Sequence, residues 1–161
     1  MGGFIDGHRD GRMYSDWTAN LLVMAATVGA VVAVVVIHYE GLVLLSRWIV
    51  RAAERPARRR VMLAMFGVLA LHIAEIWVFG LVLWALVQWP ACGHIVGDDP
   101  LLLVDAIYFS AATFTTVGFG DLAPVGSIRL LSGTEAITGF VLIGWTVSFT
   151  YFEMERHWRV R

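Results

Sequence analysis

Apolar residues run without a charge from Leu21 to Ile37, close to the roughly 20 residues that a helix needs to cross a bilayer. The apolar character carries on through His38 to Val50 before arginines take over. Ahead of this run Arg9 and Arg12 are offset by Asp6, Asp10 and Asp16, so the basic start of a secretory leader is missing, and no small-residue cleavage pattern follows. The pattern predicts a retained span. A second span is predicted from Val61 to Trp89, closing in Trp84 and Trp89, residue types that suit a membrane interface. Pro90, Gly93, Gly97 and Pro100 then mark a short polar loop. Leu101 to Thr115 predicts a helix that is too short, at about 1.5 Å per residue, to cross a core of roughly 30 Å. It is expected to dip in and return. Ile128 to Phe152 predicts the last span.

The arginines set the orientation. Arg47, Arg51, Arg55 and Arg59 recur every fourth residue, which would place them near one helical face. Such a row suits a voltage-sensing helix, or equally a helix end whose arginines snorkel to lipid headgroups. The second reading is favoured because Pro56 interrupts the pattern, Arg58, Arg59 and Arg60 are consecutive, and the first apolar run carries no arginine. The loop from Arg47 to Arg60 and the tail with Arg156, Arg159 and Arg161 hold the positive excess, so both are expected on the cytoplasmic side. Three full spans then leave the N-terminus outside. The expected division is an extracytoplasmic segment over 1–19, a first helix with a basic end over 20–60, a second unit over 61–155, and a cytoplasmic tail over 156–161.

Composition agrees with a bilayer: 58% of residues are hydrophobic and the mean hydropathy is +0.72, against about 45–50% apolar in ordinary soluble domains. Membrane lipid is thus an expected partner. The net charge of -1 gives no reason to expect a nucleic-acid partner. Cys92 is the single cysteine, which rules out an intrachain disulfide and favours a free thiol. No nucleophile–base set, phosphate loop or dense metal motif is present, so no enzyme activity or cofactor is expected. No ligand-sensing domain of useful size is expected in the flanks.

Chemistry enters at Thr115-Thr116-Val117-Gly118-Phe119-Gly120-Asp121. Non-helical backbone at membrane depth is tolerated only where protein or a water-filled cavity surrounds it. The two glycines permit backbone angles that a side chain would forbid. This segment, with a half-length helix before it and a full span after it, resembles the potassium-channel pore module of small bacterial channels that carry one pore loop per chain. The resemblance covers about Met62 to Glu153. It implies an all-α membrane protein with three transmembrane helices plus a re-entrant pore helix and selectivity filter, assembled as a homotetramer in the inner membrane. It implies passive, selective conduction of K+ ions, coordinated by the carbonyls of Thr116, Val117, Gly118 and Phe119 and by the Thr116 hydroxyl, with Gly120 supplying the outer turn. The pore helix would point its negative C-terminal end at a cation below the filter. Thr115, Asp121 and Tyr108 would support the filter, through a Tyr108 hydroxyl to Asp121 hydrogen bond in particular; packing is the other role open to Tyr108. Phe119 stands where the family usually has tyrosine, which removes a hydroxyl that could tie the filter to the pore helix. Gly139 and Gly144 are candidates for a gating hinge in the last span, with close helix packing as the competing explanation. Two other functions stay open: a weakly selective cation channel, and a non-conducting sensor or partner subunit that keeps the pore fold.

Ionisable residues inside the spans are functional candidates by default. His72 and Glu75 are three apart and share a face. Helical rise puts His38 at a similar depth. The three suggest a proton-sensitive or metal-binding cluster, or a hydrogen-bonded clamp between helices. Glu135 lies nearer the filter and is expected to bond the pore helix instead, through Ser110 or Thr113.

Overall fold

A computed structural model describes residues 16–52, 56–97 and 100–158, with backbone alone at 57 and 156–158. Most of the expected extracytoplasmic segment, and Arg55, Arg159 and Arg161, lie outside the described residues. The elements are helix α1 (Trp17–Arg51), helix α2 (Ala57–Val87), a 3-10 turn (Pro90–Cys92), strand β1 (His94–Val96), helix α3 (Leu103–Phe114), strand β2 (Ala123–Val125) and helix α4 (Arg129–Trp158). Of these, α1, α2 and α4 are long and apolar enough to cross a membrane, while α3 is not.

The first apolar run and its continuation form one helix of 35 residues, about 52 Å at 1.5 Å per residue. That exceeds a core of about 30 Å, so α1 must tilt or project beyond it. It begins ahead of Leu21 because Asp16 caps it: Asp16 Oδ1 accepts from the backbone N–H of Thr18 at 3.0 Å and of Ala19 at 3.3 Å. Hydrogen bonds from the Thr18 hydroxyl and these amides hold the Asp16 carboxyl below its usual range. At the other end, Pro56 stands just ahead of α2 and divides the arginine row. Arg47 and Arg51 end α1, whereas Arg58, Arg59 and Arg60 begin α2. No described helix carries the whole row, which fits headgroup anchoring better than voltage sensing.

Small residues let the helices approach. A side chain at Gly41 would lie 2.5 Å from Leu71 Cδ1, and one at Gly67 would lie 2.7 Å from Leu45 Cδ1, so α1 and α2 interlock through two glycine–leucine pairs. The short helix α3 packs on α2 at Gly80, where an added Cβ would come within 2.4 Å of Ile107 Cδ1. Around the end of α3, Phe79, Leu83, Phe114, Ile128, Leu131 and Leu142 are fully buried and join α2, α3 and α4.

The predicted polar loop holds one feature that its composition did not announce. β1 pairs antiparallel with β2, in the register His94↔Val125, Ile95↔Pro124, Val96↔Ala123. Strands of three residues leave too little alternation to be read from sequence. Glycines at both ends of β1 make the approach possible: Gly93 (φ +124°) and Gly97 (φ +119°) place their missing side chains 2.1 Å from Val125 O and 2.3 Å from Asp121 O. The loop before α3 is thus bound to the chain that leaves 115–121.

Candidate functional site: a one-sided filter wall

The short helix sets up the site. At its start the Leu102 N–H donates to Asp105 Oδ2 at 3.0 Å, and an acidic residue in a first turn suits the positive end of the helix. At its end the ladder tightens and then turns back. Thr115 N–H donates to Ala111 O at 3.2 Å, Thr116 N–H to Thr113 O at 2.9 Å, and Gly118 N–H to Ala112 O at 3.1 Å. The Thr115 hydroxyl donates to Ala111 O at 2.7 Å. The exit from the helix is therefore fixed by bonds to the helix itself.

The backbone beyond it alternates in handedness. Thr116, Gly118 and Gly120 have φ of +59°, +53° and +82°, whereas Val117 and Phe119 do not have positive φ. Alternation of this kind turns successive N–H groups to one side of the chain and carbonyls to the other. The two glycines were read from sequence as freeing the backbone; the left-handed Thr116 was not. A β-branched residue there costs on the order of 1–3 kcal/mol and persists because the Thr113 carbonyl holds its own N–H and the Ala112 carbonyl that of Gly118, two residues on. Residue type gives no cue to it, only the period of two that it shares with the glycines. A Cβ on Gly118 or Gly120 would meet nothing within 4 Å, so the demand there is for dihedral angle and not for space.

Side chains hold the far end. The Tyr108 hydroxyl donates to Asp121 Oδ2 at 2.8 Å. The rings of Tyr108 and Phe119 stack at 6.1 Å with 9° between their planes. Phe119, lacking a hydroxyl, is thus tied to α3 by stacking. Residues 115–121 are exposed along their whole length in the single chain, Phe119 at 69%. Such a carbonyl row can replace part of a cation's hydration shell, but one chain supplies one wall.

Beneath this wall α4 lies close against α3 at Gly139 and at Glu135. An added Cβ at Gly139 would lie 2.1 Å from Phe114 O, whereas one at Gly144 would meet nothing within 4 Å, and α4 is continuous through both. The close approach is reason enough for a glycine at 139. Glu135, fully buried, places Oε1 2.5 Å from Ser110 Oγ, which also lies 2.9 Å from Ile76 O. The Ser110 hydroxyl thus faces two acceptors, one on α4 and one on α2, and ties α3 to both. Of the two partners expected for Glu135, Ser110 is the one it meets.

His38, His72 and Glu75 come together apart from Glu135. Glu75 Oε1 lies 2.8 Å from His38 Nδ1, and Oε2 lies 2.8 Å from His72 Nδ1. His38 and Glu75 are fully buried, and His72 is partly exposed. The His38 ring is 5.3 Å from Trp145 of α4, and the His72 ring is 5.9 Å from Phe114. This group links α1 to α2 at the level where α3 ends.

Residues 61–154 match a family described as "Ion channel". The Geobacillus stearothermophilus protein named LctB is 32% identical over 98 residues, which cover 46% of this chain and 73% of that protein. Two-pore potassium channel 1 of Arabidopsis thaliana is 45% identical over 56 residues, 34% of this chain but 15% of that protein. Two-pore potassium channel 4 of the same plant is 38% identical over 53 residues, 32% of this chain and 19% of that protein. No solved structure gives a significant match.

Proposed function

This chain belongs to the ion-channel family that its residues 61–154 match, and on that premise we propose that it is one subunit of a homotetrameric, potassium-selective channel rather than an enzyme. The observation that carries the proposal is the alternating backbone at Thr116, Gly118 and Gly120, pinned to the pore helix by the Gly118 N–H. K+ would be coordinated by the carbonyls of Thr116, Val117, Gly118 and Phe119 and by the Thr116 hydroxyl, with Gly120 turning the chain away. Stripping water from an ion is costly, and carbonyl rings offset that cost only if they close around it. One exposed wall therefore calls for copies of itself, and closed cyclic symmetry supplies them. The negative end of α3 favours a cation below the filter.

In this reading 61–155 is the pore module and 20–60 is an added helix with a basic end. The arginine-rich ends face the cytoplasm of a cell whose inner membrane holds the channel, the segment 1–19 lies outside and the tail 156–161 inside. Gly144, with free space around it, is the better hinge of the two glycines in α4.

Potassium flux into liposomes that contain only this protein is the test. Flux is expected, with a reversal potential in mixed potassium and sodium that follows potassium. A reversal potential that ignores the ratio of the two ions would make the protein a weakly selective cation channel. No flux at any voltage, tension or pH would make it a non-conducting partner subunit.

A further inference from the structure

The filter accounts for Tyr108, Asp121 and the glycines, but not for the polar group buried between α1 and α2. Among the described residues, His38, His72 and Glu75 are a group whose donor atoms, one from each, all lie within 4.8 Å of one another. We propose that this group is a binding site for a divalent transition metal ion of the zinc or cobalt type, which fastens the added first helix to the pore module.

The donor set is two imidazoles and one carboxylate, a combination that suits zinc, cobalt and their neighbours; magnesium and calcium prefer sites made of oxygen. Zinc binds nitrogen and oxygen at about 2.0–2.2 Å, so neighbouring ligands of a tetrahedral ion stand about 3.3 Å apart. The two contacts of 2.8 Å at Glu75 need to open by roughly half an ångström to admit such an ion. His72 keeps 16% exposure in the single chain, so one edge of the group is not closed by the chain's own side chains.

Charge points the same way. A carboxylate at this depth is costly unless something positive faces it. The chain has no lysine. On the same two helices the nearest arginines, Arg47 and Arg60, are nine and twelve residues from His38 and His72, about 13 and 18 Å along the axis. A bound cation would join α1 to α2 at a ring that touches Phe114, the residue whose carbonyl meets Gly139.

The test uses the full-length protein, purified in detergent, stripped with a chelator and titrated with Co2+. About one ion per chain should remain after gel filtration, measured by elemental mass spectrometry. The visible spectrum should show the intense bands of four- or five-coordinate cobalt. His72→Asn and Glu75→Gln should each weaken binding by more than about tenfold, while His94→Ala, at an exposed histidine of β1, should leave it unchanged. Loss of binding in the His94 variant, or binding that survives both ligand substitutions, would overturn the site. So would a chain that takes up only protons and no stoichiometric metal. Should the ligand variants fail to fold, the spectrum of the unaltered protein decides, since the weak bands of six-coordinate cobalt would also overturn it. None of these readouts depends on conduction, so failure of the metal site and failure of the channel reading are distinguishable.

Discussion

The filter segment and the histidine–glutamate group sit within a few turns of each other and are built on opposite plans. In the proposed filter, from Thr115 to Asp121, the working atoms would be backbone carbonyls, and local bonds to Ala111, Ala112 and Thr113 hold the start of the segment. Between α1 and α2 the working atoms are side chains, brought together from positions 34 and 37 residues apart. A backbone device fails when its dihedral angles are forbidden, and a side-chain device when one partner is removed. The largest effect should therefore come from the filter glycines. Gly120→Ala places a side chain at φ +82° with nothing near it, so the alteration acts through the backbone alone. Potassium flux should fall by at least about 100-fold, with helix content unchanged by circular dichroism; in the proposed tetramer the strain of roughly 1–3 kcal/mol would be repeated in each of four copies at one axis. Flux that survived the substitutions at both Gly118 and Gly120 would sink the filter reading.

Below the filter, Gly139 and Gly144 separate packing from hinging. Gly139→Ala drives a methyl group against Phe114 O, which an added Cβ would approach to 2.1 Å. Overpacking of this kind costs typically 1–3 kcal/mol, to be seen as a lower thermal midpoint in detergent. Gly144→Ala meets no atom and should hold or raise that midpoint, since alanine favours a helix over glycine by about 1 kcal/mol. If position 144 hinges α4, its variant instead lowers open probability. The reverse order of midpoints would refute the contact.

How much of this could be read from residue order follows from the same contrast. The three spans, the half-length helix and the seven-residue motif are local patterns, and hydropathy and spacing carry them. The approach of His72 to Glu75 was legible because three residues make most of one helical turn. Bringing His38 to them depends on how α1 lies along α2, which the Gly41–Leu71 and Gly67–Leu45 pairs determine and no periodicity announces. Thr116 in the left-handed region and the β1–β2 pairing were missed for a related reason. Each is imposed by contacts that oppose or exceed the local preference of the residues concerned.

Ser110 lies between the two plans, a side chain that ties the filter's helix to its neighbours. Ser110→Ala would remove the contact with Glu135 Oε1, whose Oε2 already lacks a partner. Buried polar groups left unpaired cost about 1–3 kcal/mol in water-soluble proteins, and interhelical bonds in membranes about 0.6–2. A fall in thermal midpoint equivalent to about 1–2 kcal/mol is expected. Ser110→Ala combined with Glu135→Leu should recover much of it, because no buried carboxyl then remains. A double variant no more stable than the single one would show that Glu135 is held by something else.

The smallest effect belongs to Tyr108, and it tests which of two ties holds the end of the filter. Tyr108→Phe removes the hydrogen bond of 2.8 Å to Asp121 and keeps the ring stacked on Phe119. The bond is exposed, so its net worth is about 1 kcal/mol or less. Selectivity, which the proposed function assigns to backbone carbonyls and not to this side chain, should not change. Asp121 would lose its anchor to α3 but keep the backbone approach of Gly97. Single-channel records should therefore show shorter openings at an unchanged reversal potential. Tyr108→Leu removes both ties and should shorten openings further. If Tyr108→Phe alone matched Tyr108→Leu, the hydrogen bond would be the working tie and the stacking mere packing. If Tyr108→Phe left openings unchanged while Tyr108→Leu shortened them, stacking would hold the filter, and the hydroxyl missing from Phe119 would be one this protein does without.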